Sequence, residues 1–256
     1  MFLRLRQLCL VAHDLEPVVE DLRAVFDIEV CHRDPGVAIF GLHNALLPIG
    51  TSFIEIVAPA KEQTAAGRYL DRRKGDGGYM VILDTDELDR WQKHVDAIGV
   101  RVAAPLVLDG YRGLQLHPRD TGGALLEINW SEGGADVNAA YHPAGRNWHA
   151  FVRTGTAKAV VGAELQSDHP ESLAAKWSQI LQKPARQLGD QWQIDVDNAC
   201  LRFVLTTDGR GEGLGGIDVQ VADRARVRDA AERRGLAVTD AVLIGGVRFN
   251  LIEAPR

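Results

Sequence analysis

The sequence has little cysteine and no long apolar run. Its three cysteines, Cys9, Cys31 and Cys200, are widely spaced and form no CxxC pair, which argues against a disulfide framework and against a structural zinc site. No apolar run approaches the ~20 residues that a membrane-spanning helix needs. The opening residues, MFLRLRQLCLVAHD, have no small-residue cleavage site, so they resemble a strand more than a signal peptide. We therefore expect a cytoplasmic protein with no membrane partner.

An excess of basic charge and the usual nucleotide motifs are also missing. The chain has 29 Lys and Arg against 35 Asp and Glu, a net charge of −6, and its basic residues are scattered, so nucleic acid is not an expected partner. No GxxxxGK[ST] motif for binding nucleotide phosphates occurs, and neither does the GxSxG motif that carries the nucleophile of many hydrolases. A GxGxxG match at residues 211–216 runs into the strand-like IDVQV instead of opening a helix, so dinucleotide binding is not supported.

What the sequence does contain is one pattern used four times. A β-type segment leads into an amphipathic helix of about a dozen residues, and further β-type segments follow. The copies begin at Leu5, Tyr79, Val160 and Gly216. The pattern predicts an α+β protein of four βαβββ modules, which resolves the ambiguity of 256 residues between one domain and two.

Two segments break the pattern. Residues 61–76 connect the first two modules and are predicted to be partly helical. Residues 131–147, rich in Gly, Ala and Asn, are predicted to be the linker between a domain at 1–130 and a domain at 148–256.

The segments QLCLVAHDLEPVVEDLRAVF and HNALLPIGTSFIEIVAP, together with the four modules, resemble the vicinal oxygen chelate superfamily and in particular its glyoxalase-like members. The resemblance implies two cup-shaped half-barrel domains, each built from two modules. It also implies a divalent metal ion in the cup (zinc, nickel, manganese, cobalt or magnesium) that chelates a small substrate with neighbouring oxygens.

The residue opening each helix gives the register for transferring the family's metal ligands. Seven residues before Asp14 and Glu87 lie Gln7 and Met80, and the family's apolar-Glu-apolar pattern matches Glu55 and Glu127. The resemblance therefore implies Gln7, Glu55 and Glu127 as metal ligands. Met80 departs from the family pattern because a thioether is a soft donor that suits an oxygen-rich site poorly.

The glutamates are also informative without the resemblance. Both lie inside apolar strand segments, SFIEIVA and ALLEINW, where a carboxylate is costly to bury unless it is paired, metal-bound or open to a wet cleft. Without a metal, burial and proximity would raise a pKa and produce an acid–base pair. The alternative is that both simply line a solvated concave sheet.

In the second half, counting back seven residues from the helix starts at His169 and Asp223 gives Gly162 and Gly216, which cannot bind metal. Glu253 is the one carboxylate there that matches the family pattern. We therefore expect a degenerate site there, with a structural or dimer-forming role or a separate ligand cleft as alternatives. Two histidine positions of the extradiol dioxygenases are missing, so that activity is disfavoured.

Five further residues are candidates for substrate binding: His43, His117, Arg112, Met80 and Trp130. His43 and His117 lie near the expected cup, Arg112 could bind an anionic group, and Trp130 follows Glu127 closely. Surface turns and ordinary packing are the competing explanations.

The leading hypothesis is a metal-dependent glyoxalase-type lyase or isomerase, with Glu127 and Glu55 as catalytic residues. The metal would act as a Lewis acid while one glutamate moves a proton α to a carbonyl. The alternative is a metal-free protein that sequesters a small molecule, as bleomycin-resistance proteins do. The sequence leaves the oligomeric state open, with a homodimer as the candidate because exposed sheet edges in such folds commonly pair.

Overall fold

The computed structural model describes residues 1–253, and its first half contains seven strands and four helices. The strands are β1 (Leu3–Val11), β2 (Leu42–Ile49), β3 (Ser52–Pro59), β4 (Gly77–Thr85), β5 (Val102–Leu108), β6 (Tyr111–Leu116) and β7 (Leu125–Ser131). The helices are α1 (Leu15–Phe26), α2 (Ala65–Arg73), α3 (Leu88–Ala97) and α4 (Pro118–Thr121). The predicted helical content of the 61–76 connection is confirmed by α2.

The second half contains seven more strands and two helices. The strands are β8 (Ala157–Ser167), β9 (Arg186–Leu188), β10 (Gln191–Val196), β11 (Ala199–Leu205), β12 (Gly213–Val221), β13 (Ala241–Ile244) and β14 (Val247–Glu253). The helices are α5 (Pro170–Leu181) and α6 (Arg224–Arg233). Among the helices between residues 1 and 253, none is long and apolar enough to cross a membrane.

Each half forms one seven-stranded sheet by joining two modules. The strand orders are β2-β3-β1-β4-β7-β6-β5 and β13-β14-β12-β8-β11-β10-β9. In every module the first strand pairs in parallel with the last, as β1 does with β3 and β4 with β7, and the first strands of the two modules pair antiparallel. The predicted α+β fold of paired modules is confirmed.

Two modules have fewer strands than the βαβββ pattern predicts. After α1 the chain makes only a bridge between His32 and Leu46, and residues 35–40 form a 3-10 helix where a strand was expected. Pro35 stands at the start of this 3-10 helix and the Asp34 side chain accepts a hydrogen bond from the Gly36 amide at 2.8 Å, a capping arrangement that favours helical geometry. The fourth module likewise retains only a Val238–Val242 bridge before β13.

Strand alternation separates the core from the concave face of the first sheet. Leu8 and Leu10 of β1 pack in a large apolar cluster with the buried faces of the helices, whereas Cys9 and Val11 point to the other side. The large cluster contains residues of both halves, for example Phe26 and Phe249, whose rings lie 5.3 Å apart. The halves therefore share a hydrophobic core. The other face of the first sheet, on which α2 packs through Ala66 and Leu70, is available for a site.

The predicted linker forms part of the first half's wall. Tyr141 and Trp148 are almost completely buried, and both rings pack on Phe53 of β3 at 5.2 and 5.1 Å. The division of the chain at residues 131–147 stays a prediction. The segment from Tyr141 to Trp148 nevertheless does more than connect, because its two buried rings pack on the first sheet through Phe53.

Candidate active site

Four of the side chains that the sequence singled out lie on the concave face of the first sheet. Gln7 comes from β1, Glu55 from β3, Met80 from β4 and Glu127 from β7. Cys9 is the neighbour of both Glu55 and Met80 in the sheet, and Ile82 is the neighbour of both Gln7 and Glu127. The two-residue side-chain period of β-strands therefore brings residues 120 positions apart onto one surface.

These side chains line a cavity of about 260 Å³, which we call the cup. Its wall is mainly apolar, and the polar groups are concentrated at its floor. The lining includes Gln7, Asp34, Leu42, Glu55, Val57, Tyr79, Met80, Ile82, Leu106, Tyr111, Gln115, Glu127 and His142. A mostly apolar cavity with a few convergent polar groups is typical of small-molecule sites.

Glu55 is 7% exposed and accepts hydrogen bonds from two amides. Gln7 Nε2 donates to Oε2 at 2.7 Å, and Asn44 Nδ2 donates to Oε1 at 2.7 Å. Burial raises the pKa of Glu55, while hydrogen bonds from Asn44, Cys9 and Gln7 oppose that rise. The carboxyl is thus held rigidly in a dry environment that makes it a better proton acceptor once ionised.

Glu127 is 2% exposed and also has two donors. The Tyr111 hydroxyl donates to Oε1, and Gln115 Nε2 donates to Oε2 at 2.9 Å. Burial raises the pKa of Glu127, and the charge of Glu55 raises it further, whereas Tyr111 and Gln115 lower it. Gly113 leaves room for this carboxyl, because a Cβ at that position would lie 2.8 Å from Glu127 Oε1.

Next to Tyr111, and outside the lining of the cup, a buried arginine is surrounded by aromatic rings. The Arg6 guanidinium lies 5.2, 4.9 and 5.5 Å from the ring centres of Phe53, Tyr141 and Trp148. It donates a hydrogen bond to the Thr51 carbonyl, and burial lowers its pKa. These cation–π contacts tie β1 to the 141–148 segment.

The donor atoms at the floor do not match the divalent metal site that the resemblance implies. Each oxygen of Glu55 and Glu127 already accepts a hydrogen bond from a neutral amide or hydroxyl, and the fourth family position is the thioether of Met80. Gln7 turns its amide nitrogen toward Glu55, although its buried Oε1 has no hydrogen-bond partner within residues 1–253. In the same residues, no group of three or more His, Cys, Asp and Glu is placed to hold a metal ion, a class of site to which a set of one glutamine and two glutamates does not belong.

Four predicted substrate-binding residues lie outside the cup, which corrects their expected placement. Arg112 and Trp130 are cross-strand neighbours on β6 and β7. Each is an odd number of residues from the residue of its strand that faces the cup, Tyr111 or Glu127, so both side chains point to the opposite, helix-covered face. Arg112 pairs there with Asp89 of α3 at 2.6 Å.

The two histidines are occupied by local structure or exposed to solvent. His43 is exposed near the start of β2. His117 precedes α4 and its Nδ1 accepts a hydrogen bond from the Arg119 amide at 3.2 Å. A position near a strand end therefore did not suffice to place either side chain in the cup.

Sequence reasoning missed two amides that hold the carboxyls, Asn44 and Gln115. Both are cross-strand contacts, since Gln115 is directly opposite Glu127 and Asn44 lies on the strand beside Glu55. The sequence carried one usable signal: Tyr111, Gly113 and Gln115 are spaced two residues apart, so a strand there places all three on the same face. Which carboxyl they face depends on the strand order, which the sequence does not show.

The equivalent face of the second sheet is filled by ion pairs. Arg202 contacts Glu164 at 2.9 Å and Asp218 at 2.5 Å, and Arg248 contacts Glu164 at 2.6 Å. Gly162 and Gly216, the positions without metal ligands, make room for this network. A Cβ at Gly162 would lie 2.5 Å from Asp218 Oδ2, and one at Gly216 would lie 2.9 Å from Glu164 Oε1.

The carboxyl that matched the family pattern, Glu253, is exposed near the end of β14. It is therefore not a member of the ion-pair network on the second sheet.

Two cup-like sheets built from paired modules, with buried carboxyls lining a cavity on the concave face of the first, define a protein of the vicinal oxygen chelate type. The family model of the glyoxalase-like domain matches residues 8–181. Because this match spans more than half of the chain, the protein belongs to the glyoxalase-like domain family. No protein of curated function matches the chain.

Several solved structures are similar. A hypothetical protein from Staphylococcus aureus is 11% identical over 99% of this chain and 100% of its own, with a TM-score of 0.71, which shows the fold alone. Methylmalonyl-CoA epimerase from Streptomyces coelicolor is 28% identical over 51% of this chain and 99% of its own, with a TM-score of 0.47. The epimerase from Mycobacterium tuberculosis is 24% identical over 50% of this chain and 87% of its own, with a TM-score of 0.45.

Proposed function

We propose that the protein is a glyoxalase-like enzyme of the lyase or isomerase type, in which Glu55 and Glu127 form an acid–base pair. The observation that carries the proposal is that both buried glutamates meet at the floor of one apolar cavity. Burial raises the pKa of each carboxyl, which brings it nearer to the working pH that favours general acid–base catalysis.

In this mechanism a small molecule with neighbouring oxygens occupies the cup. One glutamate removes a proton from the carbon α to the carbonyl, and the other carboxyl, when protonated, returns a proton to the resulting enolate. Gln7 and Asn44 orient Glu55, while Tyr111 and Gln115 orient Glu127. The apolar wall keeps bulk water away from the enolate. The carboxyls exchange their protons with solvent between turnovers, so in D₂O the proton that is returned is a deuteron.

A divalent ion on Gln7, Glu55 and Glu127, acting as a Lewis acid, stays a prediction from the family resemblance. Its chemistry would be to polarise the substrate oxygens. The hydrogen bonds on the four carboxylate oxygens and the thioether of Met80 do not favour it, so no step of the mechanism depends on it.

The test is deuterium exchange into a probe ketone. Hydroxyacetone is incubated with the protein in D₂O, and NMR follows the loss of its α-proton signals. We expect exchange above the buffer rate in the wild type, a loss of at least tenfold in Glu127→Gln and in Glu55→Gln, and no change in Glu62→Gln, an exposed control. Exchange at the wild-type rate in both buried variants would refute the acid–base roles.

The same samples test the metal. Elemental analysis of the purified protein, and exchange measured before and after dialysis against a chelator, separate the two mechanisms. Stoichiometric metal that is lost in Glu127→Gln, with exchange that disappears on chelation, would support the metal-dependent version instead.

A second candidate is a binding protein without catalysis, which the predominantly apolar wall of the cup favours. In that case ligand binding survives in Glu127→Gln, and no deuterium exchange above the buffer rate is seen in the wild type. A cytoplasmic location and a homodimer also stay predictions, and sedimentation analysis tests the dimer.

A further inference from the structure

A second cavity of about 440 Å³ adjoins the cup. The two cavities share five lining side chains, Phe40, Leu42, Tyr79, Met80 and Gln115. We call this second cavity the annex. Because these side chains border both cavities, the annex lies directly beside the cup, within reach of a ligand that contacts the carboxyls.

The annex is lined mainly by apolar surface. One wall is the start of α2, with Ala65, Ala66 and Tyr69, and the opposite wall includes Ala124 and Leu125. The polar end of Tyr69 is turned away, since its hydroxyl donates to the Gly78 carbonyl at 2.6 Å.

The lining contains two charged residues, Glu212, which already has hydrogen-bond partners, and Arg72, which is exposed. Glu212 accepts hydrogen bonds from the Gly123 amide at 3.0 Å and from the Ser167 hydroxyl at 2.8 Å. The Arg72 guanidinium lies 6.0 Å from the Tyr69 ring centre. The annex therefore offers mainly apolar contact, with the exposed guanidinium of Arg72 as one charged group in its lining.

The sizes of the two cavities indicate which part of a ligand each can hold. The cup, at about 260 Å³, is below the usual range of roughly 300–1,000 Å³ for small-molecule pockets. It accommodates a compact group only, so a larger ligand must place its remainder in the annex. The buried carboxyls also disfavour an anionic head, because like charges repel in a dry environment.

We propose that the ligand is an uncharged amphipathic molecule, with a compact head of neighbouring oxygens in the cup and an alkyl tail in the annex. The position of the head rests on the proposed function, whereas the position of the tail does not. The proposal names the substrate class as medium-chain hydroxyketones or their close analogues.

The experiment measures the affinity of a homologous series of 1-hydroxy-2-alkanones, from four to ten carbons, by titration calorimetry with the full chain. Each added methylene that enters the annex should tighten binding about fourfold, which corresponds to ~0.8 kcal/mol. In Ala65→Trp, an indole placed at the exposed first residue of α2 should obstruct the annex and flatten this dependence. Ala97→Trp, at the exposed last residue of α3 and outside both cavities, is the matched control and should keep it.

Three results would overturn the inference: affinity that does not rise with chain length, a length dependence that Ala65→Trp preserves, or no binding by any member up to its solubility limit. Failure of the proposed function is a separate observation. A length-dependent affinity with no deuterium exchange would retain the amphipathic ligand and remove the catalysis.

Discussion

Removing the Tyr111 hydroxyl should destabilise the protein in a way that depends on the charge of Glu127. Tyr111 is 3% exposed and its hydroxyl donates to Glu127 Oε1 in a buried environment. In Tyr111→Phe the carboxyl retains Gln115 as a donor but loses its partner on the other oxygen. A hydrogen bond to a charged group contributes roughly 1.5–3 kcal/mol, so we expect a loss of about 2 kcal/mol in the free energy of unfolding at pH 8.

A double-mutant cycle isolates the interaction. Glu127→Gln removes the buried charge while its amide can still bond to Tyr111 and Gln115 after rotation. In that background Tyr111→Phe should cost only ~0.5–1 kcal/mol, as expected for a neutral hydrogen bond. A coupling of about 1–1.5 kcal/mol between the two positions is therefore expected.

The pH dependence has a definite sign. Burial raises the pKa of Glu127 above the ordinary value of 4.5 in the folded protein, and the Tyr111 hydrogen bond opposes this rise. A carboxyl whose pKa is higher in the folded than in the unfolded protein stabilises the fold at a pH below its unfolded pKa. This stabilisation is lost as the pH rises through its folded pKa. Tyr111→Phe raises that pKa further, so its deficit should be small near pH 4 and grow at higher pH.

The assay is guanidinium chloride unfolding followed by tryptophan fluorescence at several pH values between 4 and 8. Tyr69→Phe is the matched control, because it removes a partly buried hydroxyl that donates to a neutral carbonyl. Its loss in the free energy of unfolding should not change with pH. A pH-independent deficit in Tyr111→Phe, or no coupling to Glu127→Gln, would refute the reasoning.

Two further predictions concern the second sheet and the 141–148 segment. Arg202→Met should lower the free energy of unfolding by about 3–5 kcal/mol, because it leaves the buried carboxyls of Glu164 and Asp218 without their shared partner. Arg186→Met is an exposed control and should change the free energy of unfolding by less than about 0.5 kcal/mol. Equal losses in the two variants, measured by chemical denaturation, would contradict the role of the network. Trp148→Ala should cost about 3–5 kcal/mol because its ring is completely buried, and a loss below ~1 kcal/mol in the same assay would show that the 141–148 segment does not support the first sheet.

Several features of the fold could be predicted from local pattern. The repeated strand-helix order located all four modules, and the family resemblance placed Gln7, Glu55, Met80 and Glu127 on one concave face. Strand count was less predictable, because Pro35 and Gly36 turn an apolar stretch that was expected to be a strand into a 3-10 helix. Hydrophobic periodicity does not report such a local capping geometry.

The partners of the carboxyls could not be predicted in the same way. Asn44, Tyr111 and Gln115 reach Glu55 and Glu127 across strands. Arg112 and Trp130 were placed near the cup by proximity in sequence, although one residue of phase puts a strand side chain on the opposite face. The packing of Tyr141 and Trp148 on Phe53 could not be predicted either, because these contacts join segments that are distant in sequence.

The sequence by itself determined the module repeat, the alternation of apolar and polar positions and the presence of two carboxyls inside apolar strands, because these depend on short-range spacing along the chain. Only the tertiary structure decided which groups surround those carboxyls, where the annex lies beside the cup and how ion pairs fill the second sheet. These properties arise from the order and register of strands that are distant in sequence. Hydrogen bonding, burial and the resulting pKa shifts are set by those neighbours, which local sequence does not specify.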